Sequence, residues 1–428
     1  MAAVTTVAPA DPAATPVVAR TSRIDDPGPL LDLLPPVDPV TWVRNGEGLV
    51  GWGNALSISP HGPSRFADAQ RWWADVVGRA VVRDELGLPG SGLVAFGSFA
   101  FADGSGAASS MLVPEVVIGH SRRDGEPLWW VTTVSTSALP GVPDLSPASP
   151  PASPVALRYA DGAMSGADWA HQVHEAVRRI GSSGLEKVVL ARDLLAISDT
   201  QIDVRWPLRR LASSYPSCWT YHVRGLFGAT PEMLVRRERG LVTSRVLAGT
   251  IRRTGDDAHD LALAGALARS SKDLEEHEYA VRSVAHALAP HCTSMNVPEA
   301  PFVLHLPNVM HLASDVAGVI GPADGDSNAL ALAAALHPSA AVGGTPSDLS
   351  VDTIAELEQM DRERYAGPVG WIDAGGDGEW GIALRCGIVD GARVRLFAGC
   401  GIVAGSEPES ELAEAQAKFV PVRDALGD

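Results

Sequence analysis

The sequence has few cysteines and no long uninterrupted apolar run. The four cysteines, at positions 218, 292, 386 and 400, lack the CxxC spacing of a metal site. They are typical of buried thiols in a reducing compartment. The most apolar stretch, residues 92–111, is interrupted by glycine, serine and Asp103 and is unsuited to crossing a membrane. The N-terminus also lacks the basic start and apolar core of a signal peptide. These absences predict a cytoplasmic protein.

Basic residues are scarce relative to acidic ones. Lys and Arg number 34 and Asp and Glu number 51, which gives a formal net charge of −17. A chain of this charge repels nucleic acid and anionic membranes, and no basic run compensates locally. We therefore expect neither partner. A negatively charged substrate would need a metal ion or a few well-placed cations at its binding site.

The chain has 428 residues, of which 46% are hydrophobic, enough for one large domain or two ordinary ones. Residues 1–25 are rich in Ala, Thr, Pro and Val without any period, and we expect a disordered leader there. Residues 26–137 alternate short apolar runs with turn residues. A proline-rich surface linker is expected at 140–154.

Stronger patterns begin at Ser165, which with Asp168 resembles a helix capping box. Strands are expected at 187–195, 219–223, 369–373, 381–388 and 394–398, and a hairpin around Arg239-Gly240 joins two more. Helices are expected at about 257–269, 271–289 and 407–425. Strands joined by hairpins, with helices in blocks, favour an antiparallel α+β fold over a parallel doubly wound sheet.

Two helices each carry a pair of acids at i, i+3 spacing. Asp273 and Glu276 form one pair, and Glu411 and Glu414 form the other. Residues three apart share a helix face, so two facing pairs could supply oxygen ligands to a hard cation such as Mg²⁺. The competing interpretation is two solvated acidic faces on an acidic protein.

Lys187 and Glu232 are candidates for acid–base chemistry. Lys187 opens an apolar strand, where a lysine is usually a solvated end, but in a pocket its amine could act as a base. Glu232 follows Thr-Pro and is either exposed or a buried carboxyl that donates a proton. Arg385 lies in the apolar stretch 382–386 and has either an internal salt bridge or a bound anion as its partner.

Two glycine-rich segments complete the set of candidate binding elements. Residues 341–346 and 398–405 could expose backbone N–H groups to carboxylate or phosphate oxygens. Neither has the glycine spacing of a nucleotide-binding loop. Each could equally be a turn or a bulge.

Seven motifs in order resemble those of the chorismate-utilising enzymes. They are Glu-Lys-Val-Val-Leu-Ala-Arg at 186–192, Gly-Ala-Thr-Pro-Glu at 228–232, Leu-Ala-Gly-Thr at 247–250, Ser-Lys-Asp-Leu-Glu-Glu-His at 271–277, His-Pro-Ser-Ala-Ala-Val-Gly-Gly-Thr-Pro at 337–346, Asp-Arg-Glu-Arg-Tyr-Ala-Gly-Pro-Val-Gly-Trp at 361–371 and Ala-Gly-Cys-Gly-Ile-Val-Ala-Gly-Ser at 398–406. The resemblance covers about residues 165–420. It implies an α/β sandwich of two large antiparallel sheets with helices outside. We therefore expect a single domain over 26–428, with a divergent part at 26–150 and a motif-bearing catalytic part at 160–425.

The same resemblance implies roles for individual residues. Mg²⁺ is expected on Glu276 and Glu411, with Asp273 and Glu414 contributing directly or through water. Arg385 and the N–H groups near Gly399 and Gly401 are expected to hold the enolpyruvyl carboxylate of chorismate, and Lys418 to support the metal side. The remaining implied cleft positions are Ala248, Gly249, Thr250, His311, Ala341 and Tyr365.

Lys187 decides the expected reaction, because family members that add water at C2 carry lysine at this position. Lys187 would be the base and Glu232 the acid, which predicts an isochorismate synthase. Ala341 agrees with this, whereas Tyr365 is frequent in salicylate synthases, which also eliminate pyruvate. The sequence leaves two further interpretations open, an aminating subunit and a catalytically silent homologue. The resemblance favours a monomer.

Overall fold

Two large β-sheets pack face to face at the centre of the protein. The computed structural model describes residues 16–137, 141–306, 309–321 and 327–427. Buried side chains of both sheets share one hydrophobic core, in which the ring of Trp42 of the first sheet lies against Gly381 of the second. The described helices number eight.

The first sheet contains thirteen strands in the described residues, which we number by chain order. In spatial order they are β10 (Arg158–Asp161), β11 (Lys187–Ile197), β23 (Arg393–Ile402), β22 (Cys386–Asp390), β13 (Leu226–Thr230), β12 (Trp219–Val223), β2 (Val40–Arg44), β3 (Glu47–Trp52), β8 (Val116–Arg123), β9 (Glu126–Ser135), β1 (Val17–Ile24) and β5 (Ala80–Asp84), with β19 (Gly344–Thr345) beside β11.

The second sheet contains ten strands in the same part of the chain. In spatial order they are β16 (Cys292–Asn296), β18 (Val309–Ile320), β15 (Leu241–Arg252), β14 (Met233–Glu238), β21 (Gly378–Ile382), β20 (Pro368–Asp373), β6 (Val94–Ser98), β7 (Ser110–Val113) and β4 (Leu56–Ile58), with β17 (Phe302–His305) beside β18. The described pairings of both sheets are antiparallel except that of β1 with β5, which is parallel. This confirms the expected α+β architecture of two large sheets. The sheets are antiparallel, as expected, apart from the parallel pair of β1 and β5.

The helices lie around the sheets. They are α1 (Arg65–Gly78), α2 (Gly166–Ile180), α3 (Arg205–Ser214), α4 (Asp257–Leu267), α5 (Ser271–Leu288), α6 (Ala329–Ala335), α7 (Ser347–Leu357) and α8 (Pro408–Leu426). Helix α8 packs on β23 of the first sheet, and α5 packs on β15 and β18 of the second. None of the helices in the described ranges combines the length and apolar character that a membrane crossing requires.

Local capping signals work as expected. The Ser165 hydroxyl accepts the N–H of Asp168 and starts α2, which confirms the capping-box prediction. The Ser270 hydroxyl likewise accepts the N–H of Asp273 and fixes the start of α5. This cap places Asp273 and Glu276 in the first two turns of α5.

The expected disordered leader at 1–25 is wrong in its second part. Residues 1–15 lie outside the described residues, but Val17–Ile24 forms β1, in which Val17, Ala19 and Thr21 are fully buried. Strand β1 pairs with β9 and β5, which lie more than 50 residues away in the chain. Distant partners rather than a local pattern therefore order this segment. The part of the chain before residue 137 contributes strands to both sheets, as a single domain requires. The domain boundaries remain a prediction.

A second correction concerns the strand expected at 381–388. The chain bends at Ala383–Arg385, so β21 belongs to the second sheet and β22 to the first. The same crossing occurs at Pro231-Glu232, where β13 of the first sheet leads into β14 of the second. The two crossings run side by side, because β13 pairs with β22 and β14 pairs with β21. Glu232 and Arg385 therefore lie together where the chain passes between the sheets.

Candidate active site

A cleft opens beside these crossings and brings together most of the residues that the sequence singles out. It encloses about 560 Å³ of space between atoms, a figure that includes open solvent at its mouth. The expected site residues that line it are Glu232, Ala248, Gly249, Thr250, Glu276, His311, Ala341, Tyr365, Arg385, Gly399, Gly401, Glu414 and Lys418. Lys187, Asp273 and Glu411 are not part of this lining.

Lys187 is completely buried at the start of β11, where it pairs with Thr345 of β19. Its Nζ atom lies 3.1 Å from Oε1 of Glu276, which does line the cleft. The Nζ atom has no aligned hydrogen-bond acceptor in the described residues, although the ion-pair distance is short. The solvated strand end is therefore excluded, and the amine lies directly behind the cleft wall.

Glu232 is buried at the crossing from β13 to β14. Burial raises the pKa of its carboxyl to about 7, against smaller lowering effects from the Leu247 N–H and from Lys187. The Leu247 N–H donates weakly to Oε1 across 3.4 Å. A carboxyl with this pKa holds a proton in neutral solution often enough to act as a general acid.

Arg385 adopts a left-handed backbone conformation, with φ of 48°, at the crossing from β21 to β22. Such a conformation is rare for arginine and marks a strained position. Among the residues that the structure describes, its guanidinium has no carboxylate partner; its side-chain neighbour is Nε2 of His311, at 3.5 Å. The internal salt bridge is thus not the explanation, and the cation is free to bind an anion.

His311 is buried and neutral beside Arg385. Burial, followed by the charges of Arg385 and Lys418, holds the pKa of His311 well below its ordinary value. Its Nδ1 atom lies 3.0 Å from Oγ1 of Thr250. Because an arginine only donates, Nε2 accepts and Nδ1 carries the proton. A bulge in β15 at Gly249, with φ of +79°, places Thr250 opposite His311.

Gly399 and Gly401 lie in β23, paired with β11, so the first half of the glycine-rich segment 398–405 is a strand rather than a turn or a bulge. The carbonyl of Gly399 accepts a hydrogen bond from Nζ of Lys418 at 2.9 Å. A Cβ on Gly401 would lie 2.2 Å from Oε1 of Glu276 and 3.0 Å from Cε of Lys187. The glycine is required because these two side chains cross directly over its backbone.

Lys418 and Glu414 form an ion pair of 2.6 Å on one face of α8. Burial lowers the pKa of Lys418, but Glu414 outweighs this effect and holds the pKa above its ordinary value. Lys418 therefore presents a permanent positive charge to the cleft.

The four candidate metal ligands lie on α5 and α8. Burial, followed by the charge of Glu276 and then that of Glu414, raises the pKa of Asp273, and burial followed by Glu414 raises that of Glu411. The carboxylates thus repel one another across the cleft. In the described ranges, no group of three or more His, Cys, Asp or Glu side chains is gathered closely enough to hold a metal ion.

Tyr365 and Ala341 lie on the same wall of the cleft. The ring of Tyr365 stacks on Phe397 with centroids 5.2 Å apart, and burial raises the pKa of its hydroxyl. Ala248 lines the cleft through β15, and its carbonyl lies 3.3 Å from Nδ1 of the buried His277.

Comparison with known proteins agrees with this geometry. Residues 143–427 match the family model of chorismate-binding enzymes. The chain belongs to the chorismate-binding enzyme family. Over 271 residues it is 40% identical to the isochorismate synthase DhbC of Bacillus subtilis, covering 61% of this chain and 68% of the relative. Over 405 residues it is 34% identical to the salicylate biosynthesis isochorismate synthase of Pseudomonas aeruginosa, covering 90% of this chain and 84% of the relative.

A solved structure from this family has the same fold. It comes from Bacillus anthracis and carries the provisional name 2,3-dihydroxybenzoate-specific isochorismate synthase, DhbC. It superposes with a TM-score of 0.76 at 30% identity, over 93% of this chain and 98% of that one. The match includes the N-terminal strands, which the family model does not cover.

Sequence reasoning missed several residues of this candidate site. The cleft wall also contains Val189, Leu384 and Cys400, whose apolar character is indistinguishable from that of core residues in the sequence. Lys272 was missed as well; its Nζ atom lies 2.9 Å from Oε1 of Glu411. Its position next to Asp273 was an available signal, because a cation beside two candidate metal ligands is unusual.

Proposed function

We propose that the protein is an isochorismate synthase, which converts chorismate to isochorismate by adding water at C2 and releasing the C4 hydroxyl. The similarity to isochorismate synthases supports this function. One observation carries the proposal: the buried carboxyl of Glu232 lines the cleft, and the buried amine of Lys187 lies directly behind the cleft wall, against Gly401 and Glu276.

The cleft supplies the positive charge that a dianionic substrate needs in a protein of net charge −17. Arg385 has no carboxylate partner in the described residues and can pair with one carboxylate of chorismate, with His311 supporting its guanidinium. Lys418, which is paired with Glu414, adds a second cation to the lining of the cleft. Bidentate pairing of arginine with a carboxylate fixes orientation as well as affinity.

The base and the acid act at opposite ends of the conjugated ring system of chorismate, the base on the water that attacks C2 and the acid on the oxygen that leaves C4. Lys187 in its neutral form takes a proton from water as the water oxygen bonds to C2. The ring double bonds shift, the C4–O bond breaks, and the protonated Glu232 gives its proton to the leaving oxygen. One water enters and one leaves, so the reaction is an isomerisation. Each positioned proton transfer contributes about 10²–10⁴-fold in rate.

We further propose that Mg²⁺ binds Glu276 and Glu411, with Asp273 and Glu414 contributing. The chemistry of the donor set fits, because Mg²⁺ prefers carboxylate oxygens and is usually held by one or two of them together with water. A cluster of three or more, which the described residues do not contain, is therefore not required. Burial and, after it, repulsion from the neighbouring carboxylates raise the pKa values of Asp273 and Glu411, and a bound cation would relieve that repulsion. When bound, the metal would supply Lewis-acid and orienting help at the ring carboxylate.

The decisive experiment is to incubate the protein with chorismate and MgCl₂ and identify the product by mass spectrometry. A product with the mass of chorismate but a different retention time and spectrum supports the proposal. A product lacking the pyruvate unit would reassign the protein as a salicylate synthase. Recovery of unchanged chorismate would contradict any catalytic role.

We also propose that the enzyme works in the cytoplasm as a monomer. Sedimentation equilibrium at micromolar concentration tests the oligomeric state, with a mass near 44.7 kDa as the expected result.

A further inference from the structure

The whole chain contains three lysines, Lys187, Lys272 and Lys418, against 31 arginines. Each of the three lies against a carboxylate that we propose as a metal ligand: Lys187 against Glu276 at 3.1 Å, Lys272 against Glu411 at 2.9 Å, and Lys418 against Glu414 at 2.6 Å. Lys187 and Lys418 already have roles in the proposed reaction. Lys272 does not, and its position needs a separate explanation.

The pair of Lys272 and Glu411 is asymmetric. The Glu411 side chain is only 3% exposed, whereas that of Lys272 is 40% exposed. A buried carboxylate without a partner is strongly destabilising. A half-exposed lysine, by contrast, can exchange a carboxylate for water at little cost, because its flexible stem lets the ammonium move. Glu411 therefore depends on the pair more than Lys272 does.

The pair also joins the two halves of the proposed metal site. Lys272 precedes Asp273 on α5, and Glu411 lies on α8, so the ammonium bridges the two helices that carry the ligands. It occupies Oε1, one of the two carboxylate oxygens that Glu411 could offer to a metal ion. Two cations on one carboxylate repel each other, so a metal ion and the Lys272 ammonium compete for Glu411.

We propose that Lys272 is a tethered counter-cation that neutralises Glu411 in the metal-free enzyme and is displaced from it when a divalent cation binds. The inference rests on the proposed assignment of Glu411 as a metal ligand and not on the product of the reaction. Lys272 thereby lowers the affinity for Mg²⁺ while keeping the metal-free site folded.

The test is calorimetric titration of MgCl₂ into the substrate-free full-length protein, comparing wild type with Lys272→Met. Methionine keeps the length of the side chain and removes the competing charge. We expect Lys272→Met to bind Mg²⁺ more tightly, by about tenfold if the competition is worth ~1.4 kcal/mol. Lys272→Arg, which keeps the charge, should stay near wild type.

Arg282→Met is the matched control. Arg282 is an exposed cation on the same helix whose partner is Glu278, outside the proposed site. The Arg282→Met substitution removes the same charge from α5 as Lys272→Met does. It therefore corrects for the general effect of net charge on Mg²⁺ affinity. We expect its Mg²⁺ affinity to change much less than that of Lys272→Met.

Thermal unfolding provides a second readout. Without metal, Lys272→Met should melt at a lower temperature than wild type, because Glu411 loses its counter-ion, and saturating MgCl₂ should raise its melting temperature by more than it raises that of wild type. If Lys272→Met does not fold without metal, purification in MgCl₂ and Lys272→Gln allow the same comparison.

Unchanged or weaker Mg²⁺ binding by Lys272→Met would overturn the proposal, as would the absence of saturable Mg²⁺ binding in all variants. Chorismate turnover by the wild-type protein is measured separately. Normal Mg²⁺ behaviour without turnover would remove the proposed function and leave the role of Lys272 intact.

Discussion

The Nζ atom of Lys187 and the Oε1 atom of Glu276 lie 3.1 Å apart and join β11 of the first sheet to α5, which packs on the second. The pair brings a candidate base into contact with a candidate metal ligand. Because Lys187 is fully buried, the contact is shielded from bulk water, and changes on either side of it should alter activity more than they alter the fold.

Replacing Lys187 by methionine should abolish water addition while the protein remains folded. Methionine has a similar volume, so packing in β11 changes little, and Glu276 reaches the cleft, where water can solvate it. We expect turnover to fall by about 10²–10⁴-fold, the usual contribution of a positioned base. Product formation by mass spectrometry and thermal unfolding together check this. Near-normal turnover would reject the base assignment.

The pH dependence of activity should report Glu232. The acid must be protonated, and its pKa is raised to about 7 by burial. Once Lys187 is neutral, we therefore expect kcat/KM to fall as pH rises above about 7, approaching tenfold per pH unit. Glu232→Gln should lose this component of the profile, and a variant profile with the same shape as that of wild type would contradict the role of Glu232 as the acid.

The same carboxyl should make stability depend on pH. Its pKa is near 4.5 in the unfolded chain and about 7 in the folded protein, so the folded state holds the proton more tightly. The free energy of unfolding should therefore decrease as pH rises from about 4.5 to about 7, by ~3 kcal/mol from this group. Glu232→Gln should lack this component. Denaturant unfolding of both proteins at pH 5 and pH 8 measures the difference.

These properties differ in how far the sequence could predict them. The Ser165 cap and the hairpin at Arg239-Gly240 depend on neighbouring residues and were predicted correctly. Strand β1 was not, because its partners β5 and β9 lie far along the chain. The apolar run around Arg385 resembled one continuous strand, since hydrophobicity does not reveal a change of sheet. The site residues came from motif resemblance; the pairing of Lys272 with Glu411 requires knowing that α5 faces α8.

Gly401→Ala should reduce activity through steric conflict. A Cβ at this position would lie 2.2 Å from Oε1 of Glu276 and 3.0 Å from Cε of Lys187, so one or both side chains must move. A displacement of about 1 Å at a reacting group can cost roughly 10²-fold in rate. Gly405→Ala is the matched control, because nothing lies within 4 Å of its added Cβ. Equal activity of the two variants would refute the expectation.

Arg385→Lys should weaken substrate binding. Lysine keeps the charge but loses the planar pair of donors that matches a carboxylate. With a charged hydrogen bond worth about 1.5–3 kcal/mol, KM should rise roughly 10- to 150-fold. The exposed Arg393→Lys on β23 provides the control. Steady-state kinetics measures KM for both variants. An unchanged KM for Arg385→Lys would show that Arg385 does not contribute to substrate binding.

The side-by-side crossings of the chain between the sheets have a mechanical consequence. Glu232 and Arg385 lie on adjacent ribbons that are hydrogen-bonded to each other on both sides of the crossing. If one sheet moved along the other, the two adjacent crossings, β13 to β14 and β21 to β22, would have to move together. Relative motion of the two sheets should therefore change the spacing between Glu232 and Arg385 very little, whereas α5 and α8 are joined by the side-chain pair of Lys272 and Glu411 rather than by paired strands.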